Sequence, residues 1–392
     1  MDEELYSHLV AIRRQIHANP EIGYQEYETA ELVSRELDRL RIPYKKNIAR
    51  TGVVGTLTKG EGPTIALRAD MDALPILEEN TLSFKSTKKS GAAQTPLMHA
   101  CGHDLHTTML LGAAALLRDA DFKGTVKFIF QPSEEGVYDD PEKKSGGQRM
   151  VENGELDHVK AALGLHVHPL LPVGKVAFKL GQALACANFF KIRITGKMAH
   201  AAVAPHLGID AILVASTLIQ SITAITSKYI PPHEPTVISF TQISGGMAPN
   251  IIADKVVIEG TVRALDLDTF NQVLARMEKI IKGTMESFDA QITIEYNLNY
   301  PSLLNDKTVH QDLGETLSSV FGKENILPVD AILGSEDFAF YSRKVPSMFY
   351  FLGARDDAET CYFLHDSKVI FNEACIPYGS RLLAQGALQL LK

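Results

Sequence analysis

Within nine residues, "MHACGHDLH" (98–106), the chain places three histidines, one cysteine and one aspartate. A thiolate beside imidazoles and carboxylates is a donor set for Zn²⁺ or a similar divalent ion. Cys101 and His103 lie two positions apart, just before the apolar run "TTMLLGAAALL" (107–117). With that run as a helix, both side chains can face one point from the loop at its N-terminus. Four further segments of strand length lead into side chains of the same kind: "TIALRA" into Asp70 and Asp72, "VKFIF" into Glu134 and Glu135, "AALGL" into His166, and "CYFL" into His365. In open α/β sheets, sites form beyond the carboxyl ends of strands, so these ends are expected to gather around the cysteine–histidine loop. Taken singly, His166 or His365 is compatible with an ordinary satisfied histidine, and the Glu134–Glu135 pair with a solvated turn. Their joint placement points to a metal site. Asp104 is compatible with a ligand role or a helix N-cap, and His106 with a ligand role or packing on the helix face. His99 and His168 read as bystanders. Cys186, Cys361 and Cys375 have no ligand-like neighbours and read as ordinary buried cysteines.

The chain that must position these residues is 392 long, more than one hydrophobic core usually serves, so two domains are expected. The opening third mixes an amphipathic helix, "EYETAELVSRELDRL" (26–40), with strand-like runs "PTIALRA" (63–69) and "GTVKFIF" (124–130). That is an α/β pattern with a largely buried, mostly parallel sheet flanked by helices. From residue 187 to 297 the order becomes strand, helix, strand, strand, helix, strand. The strands are "FFKIRIT", "TVISFTQI", "KVVIEGTVRAL" and "AQITIEYNL"; the helices are 208–229 and 267–288. This is the β-α-β-β-α-β split motif of a compact, ferredoxin-like domain. After Tyr300 the α/β pattern resumes with "ENILPVD", "MFYFLGA" and a last helix, "GSRLLAQGALQLL". The expected division is one domain from 1–182 and 299–392, with 183–298 inserted.

Composition narrows the function class. A net charge of −8, with Lys and Arg scattered, gives no basic footprint for nucleic acid. The N-terminus "MDEELYSHLV" is acidic where a signal peptide would be basic, and no apolar run approaches the ~18 residues needed to cross a bilayer. Four dispersed cysteines suit a reducing compartment, so a cytoplasmic enzyme of small-molecule chemistry is expected.

Ten blocks in order then resemble the metal-dependent aminoacylase and carboxypeptidase family, in the branch with hippurate hydrolase, indoleacetyl-amino-acid hydrolases and N-acyl-amino-acid amidohydrolases. They are "RRQIHANPEIGYQE" (13–26), "LRADMDALPI" (67–76), "MHACGHDLH" (98–106), "FQPSEEG" (130–136), "GLHVHP" (164–169), "GKMAHAAVAPH" (196–206), "GGMAPNIIAD" (245–254), "GTVRALD" (260–266), "GSEDFAF" (334–340) and "LHD" (364–366). The resemblance implies a zinc-exopeptidase-like catalytic domain, the insertion being the family's lid and dimerisation domain. It further implies that Cys101, His103, Glu135, His166 and His365 bind two divalent ions (Zn, Mn, Co or Ni) and that Glu134 is the general base. His200 would help polarise the scissile carbonyl, and Asn250 and Arg263 would hold the substrate carboxylate.

Such a site suits amide hydrolysis. Two cations activate water and stabilise the oxygens on either side of the displacement, while a free carboxylate carries the proton. Arg263 offers a planar fork for a carboxylate, against the alternative of a strand-surface salt bridge. The expected reaction is hydrolysis of N-acyl-L-amino acids or short peptides by a homodimer, because the inserted domain leaves a sheet face and an edge strand in need of cover. N-acetyl-diaminopimelate deacetylation, carboxypeptidase action and silent carboxylate binding are the competing readings.

Overall fold

A computed structural model describes residues 1–136, 140–297, 299–356 and 361–392. Its larger sheet has eight strands in the order Tyr44–Ile48, Gly52–Lys59, Gly124–Gln131, Thr64–Asp70, Val159–His168, Ser347–Gly353, Val176–Phe178, Ile326–Pro328. The four central strands, from Gly124–Gln131 to Ser347–Gly353, run parallel; an antiparallel strand joins them on each side, Gly52–Lys59 on one and Val176–Phe178 on the other. Buried on both sides, Thr64–Asp70 reads as an almost continuous covered run rather than an alternation, as expected of a parallel strand under helices. The helix His103–Asp119 packs on Glu3–Ala18 and Ile376–Leu390 as well as on this sheet. Its Met109, Leu110, Ala113 and Leu117 enter one core with Leu67, Phe128, Leu163 and Leu383. The sheet register sets Asp70 level with Gln131, and His166 level with Phe351.

The second sheet has four antiparallel strands ordered Thr236–Gly245, Lys255–Ala264, Cys186–Thr195, Gln291–Tyr296. Along Lys255–Ala264, Val256, Ile258, Val262 and Ala264 are buried while their neighbours are not, the period of two of a sheet covered on one face. The cover is the helices Ala211–Lys228 and Leu267–Phe288. In the latter, Phe270, Val273, Met277 and Ile281 form a buried stripe at helical spacing. Asp266 caps its start, accepting from the Thr269 N–H at 2.8 Å.

The described residues fall into two compact units: 1–181, 304–330 and 337–392, and 182–303 with 331–336. The second therefore takes residues 299–303 and 331–336, which the sequence pattern had left with the larger domain; Ile332 bridges Leu184, and Ala185 N–H bonds to Gly334 O. Leu298, the expected end of the insertion, lies outside the described residues.

Two expectations need correction. "CYFL" (361–364) is not a strand: among the described residues it has no ladder partner, and it runs into a turn at Leu364–His365. Nor is the chain without a long apolar helix, since by length and composition alone Ala211–Lys228 would be apolar enough to cross a membrane. Its Ser and Thr residues interrupt the apolar run in the sequence, and Val214, Ala215, Leu218, Ile222 and Ile225 turn it onto the second sheet.

Candidate metal centre

The cysteine–histidine loop is fixed by a glycine. Gly102 has φ +87°, and a Cβ there would lie 2.3 Å from Val167 Cγ2, so the turn presses directly against the strand that carries His166. The helix begins at His103, four residues earlier than the apolar run alone indicates. Cys101 Sγ and His166 Nε2 come within 3.3 Å. His103 Nε2 stands 4.0 Å from Glu135 Oε1, and His365 Nε2 stands 3.1 Å from the same oxygen. Three overlapping groups, Cys101–His103–His166, Cys101–Glu135–His365 and His103–Glu134–Glu135, each keep their donor atoms within 4.8 Å of one another. All five expected ligands and Glu134 thus converge in the first unit. His365 does so from a backbone with φ +67°, anchored by its N–H to Ala100 O at 3.0 Å. Strained non-glycine backbone of this kind collects at functional sites.

The surrounding hydrogen bonds set which atoms are free. His103 Nδ1–H donates to Asp72 O and Oδ1 at 2.9 and 3.2 Å, leaving Nε2 buried without a hydrogen-bond partner among the described residues. An imidazole nitrogen buried in that way is costly unless a cation meets its lone pair. His166 Nδ1–H donates to Val167 O at 2.8 Å, which turns its Nε2 toward Cys101. Asp72 Oδ2 accepts from the Glu135 N–H at 3.0 Å, and the Asp337 N–H donates to Glu134 Oε1 at 3.3 Å.

His106 is not available as a ligand. Its Nδ1–H donates to Asp70 Oδ1 at 2.6 Å, and its Nε2 accepts from the Val167 N–H at 2.9 Å. Asp70 in turn accepts from Arg68, whose guanidinium also reaches Asp337 and Gln131. Asp104 caps nothing: the N-cap is Gly102, and Asp104 Oδ2 lies 2.9 Å from Arg13 Nε and 2.8 Å from His17 Nδ1. The roles of Asp72, His106 and Asp104 escape sequence reading. Spacing gathers the polar residues but not the atoms they engage.

Electrostatics reinforces the fit to cations. Burial works against an imidazolium at His103, yet Asp70, Asp72 and Glu135 outweigh it and push His103 up to about 10. Burial and the Glu135 and Glu134 charges push the Cys101 thiol well up, while burial and His106 hold His166 well below the usual histidine range. The site carries surplus negative charge with neutral His166 in its ligand form. A divalent ion would satisfy that charge and deprotonate the thiol.

The other three expected residues lie in the second unit. His200 Nδ1 accepts from the Ala202 and Val203 N–H groups at 3.2 Å each, so the ring proton sits on exposed Nε2. Asn250 is exposed beside it, its carbonyl accepting from the Ala201 N–H at 3.0 Å. Arg263 has no carboxylate within 4.0 Å among the described residues; it donates to the Ser335 hydroxyl and lies over the Phe189 ring, 5.5 Å from its centroid. A strand-surface salt bridge is therefore not what occupies it.

Residues 66–389 match peptidase family M20/M25/M40. An Arabidopsis thaliana protein named IAA-amino acid hydrolase ILR1-like 4 is 40% identical over 99% of this chain and 87% of its own length. The N-acetyl-L-cysteine deacetylase of Bacillus subtilis is 35% identical over 99% of this chain and 89% of its own. A solved Bacillus subtilis structure, described as a dinuclear metal-binding peptidase of the M20 family, superposes with a TM-score of 0.81 at 32% identity, covering 100% of this chain and 99% of that one. The chain therefore belongs to peptidase family M20/M25/M40 and is a metal-dependent hydrolase of amide bonds.

Proposed function

We propose that this enzyme hydrolyses N-acyl-L-amino acids, or short peptides, to a carboxylic acid and a free amino acid. Cys101, His103, Glu135, His166 and His365 would hold two divalent ions drawn from Zn, Mn, Co and Ni. The observation that carries this is the gathering of those donors into overlapping groups, with a buried His103 Nε2 that has no hydrogen-bond partner among the described residues.

Bound there, two such ions supply Lewis acidity toward the scissile carbonyl and the attacking water. Glu134 takes the water's proton as the C–O bond forms and delivers it to the leaving nitrogen as the C–N bond breaks. Its carboxyl is buried and steadied by the Asp337 N–H. Glu135, held by Asp72 at its amide, is committed to the cations. His200 donates from Nε2–H to the carbonyl oxygen, while Arg263 and Asn250 bind the substrate carboxylate. The half-buried guanidinium of Arg263, with no carboxylate within 4.0 Å among the described residues, suits a bidentate partner.

The second unit would act as lid and homodimerisation domain: Thr236–Gly245 is an edge strand with exposed residues, and Ile212, Leu213, Val237 and Ile243 leave apolar surface beside it. A reducing, cytoplasmic setting suits the four free cysteines. A hydrolysis screen with each metal over N-acetyl-, N-benzoyl- and N-indoleacetyl-amino acids, N-acetyl-diaminopimelate and dipeptides tests the reading. Release of a free amino acid from at least one acyl class, lost on chelation, is expected. Turnover restricted to dipeptides would narrow the reading to its peptidase side, and no turnover of any of these substrates by the metal-loaded protein would contradict it.

A further inference from the structure

We propose that Glu26 is a positioning residue for Glu134, holding the residue before it in the one backbone conformation that aims its carboxylate. This rests on the reading of Glu134 as the base.

Glu26 is fully buried. Its Oε1 accepts from the Ser133 N–H at 2.8 Å, and its Oε2 meets the Thr51 hydroxyl. Ser133 has φ +48°, a left-handed conformation that a serine keeps only when its surroundings impose it. The stretch from Pro132 to Gly136 is neither helix nor strand, so local secondary structure cannot impose it. Three backbone contacts do. The Ser133 N–H goes to Glu26, Ser133 O accepts from the Gly146 N–H at 2.9 Å, and the Glu135 N–H goes to Asp72 at 3.0 Å. The amides on either side of Glu134 are thus both held by buried carboxyl groups. Of those two groups, Glu26 is the one that touches no expected metal ligand.

Capping its own helix does not explain Glu26. It occupies the N-cap position of Tyr27–Arg39 but makes no side-chain cap bond. The cap comes from Glu21, which accepts from the Glu28 and Thr29 N–H groups at 3.0 and 2.9 Å. The segment 21–26 is also built against the loop. A Cβ on Gly23 would lie 2.5 Å from Ser133 Oγ, and Glu21 O accepts from the Ala73 N–H at 2.8 Å, one residue past Asp72. This gives "EIGYQE" a role that its distance from the metal donors in sequence hides. Burial and the Asp72 charge push Glu26 up to about 8, so near neutrality a glutamine mimics the carboxylic acid.

The test compares Glu26→Ala, Glu26→Asp and Glu26→Gln in the metal-loaded enzyme, recording kcat, KM, bound metal and Tm. Misplacement of reacting groups by about 1 Å costs up to roughly 10²-fold. Glu26→Ala and Glu26→Asp should therefore lower kcat at least about tenfold with KM and metal content kept, and Glu26→Gln should restore most of it. Wild-type kcat in the Ala and Asp variants overturns the proposal. So does a Gln variant as slow as Ala, or activity that falls only in step with folded, metal-loaded protein. If neither Ala nor Asp folds, the role is structural and the proposal is equally overturned. Glu134→Gln, assayed in parallel, separates the two readings: full activity there refutes the base assignment whatever Glu26 does.

Discussion

Two identical side chains sit next to each other at Glu134 and Glu135, and their surroundings differ. Glu135 faces His103 and His365, while Glu134 is held by the Asp337 N–H. Replacing Glu134 by Gln should keep both metals and substrate affinity while lowering kcat on the order of 10²-fold or more. Replacing Glu135 by Gln should first loosen metal and be partly rescued by excess ion. Metal analysis alongside kinetics separates the two outcomes, and near wild-type turnover of Glu134→Gln in saturating metal would transfer the proton to another group. The residue types of this site were legible because Cys, His and Glu rarely cluster without a reason. What was not legible was which nitrogen or oxygen is already engaged. His106 has both ring nitrogens taken and Asp104 belongs to Arg13 and His17; neither fact can be read from spacing.

At the scale of elements, the site depends on how closely the turn before the helix His103–Asp119 approaches the strand Val159–His168. Gly102→Ala places a side chain at φ +87° and 2.3 Å from Val167 Cγ2. The left-handed backbone alone costs about 1 kcal/mol or more for a residue with a Cβ, and the contact adds to it. A lowered Tm together with weaker metal retention is the expected outcome. Unchanged metal content would show that the turn is not what aims Cys101 and His103. Periodicity made most of these elements readable, since 3.6-residue stripes and continuous buried runs are direct records of one-sided and two-sided cover. It misled at "CYFL", where an apolar tetrapeptide has strand composition but no partner strand among the described residues, and the His365 backbone is anchored instead by its hydrogen bond to Ala100.

For the whole molecule, buried charge ties distant stretches of the first unit together. His17 lies 2.8 Å from both Asp104 and Glu78, and Arg13 reaches Asp104 and Glu373. Burial opposes ionisation of these groups, but mutual attraction wins: Asp104 and Glu78 are held below their ordinary range and His17 is raised above 6.5. The carboxylates' contribution is present above their unfolded values near 4 and fades as pH falls through the lower folded values. That of His17 is complete below about 6.5 and fades as pH rises through its folded value. Stability from this network should therefore decline from pH 6.5 upward, and His17→Gln should flatten that limb of a Tm profile. Equal alkaline slopes in the two proteins would contradict the account. The insertion as a whole was readable from its strand–helix order. The attachment of 331–336 to the second unit was not, because it depends on short contacts such as Ala185 with Gly334 rather than on any pattern.

The central claim is that five donors hold two divalent ions that the hydrolysis requires. It is tested most directly by titrating metal into chelator-stripped protein while counting bound ions and following hydrolysis of an N-acyl-amino acid. The account predicts about two ions per chain at full activity, as two-metal hydrolases require, with Cys101→Ala and His365→Ala each failing to reach that count. Full activity in the stripped protein, or saturation with an unchanged ion count in both variants, would contradict it.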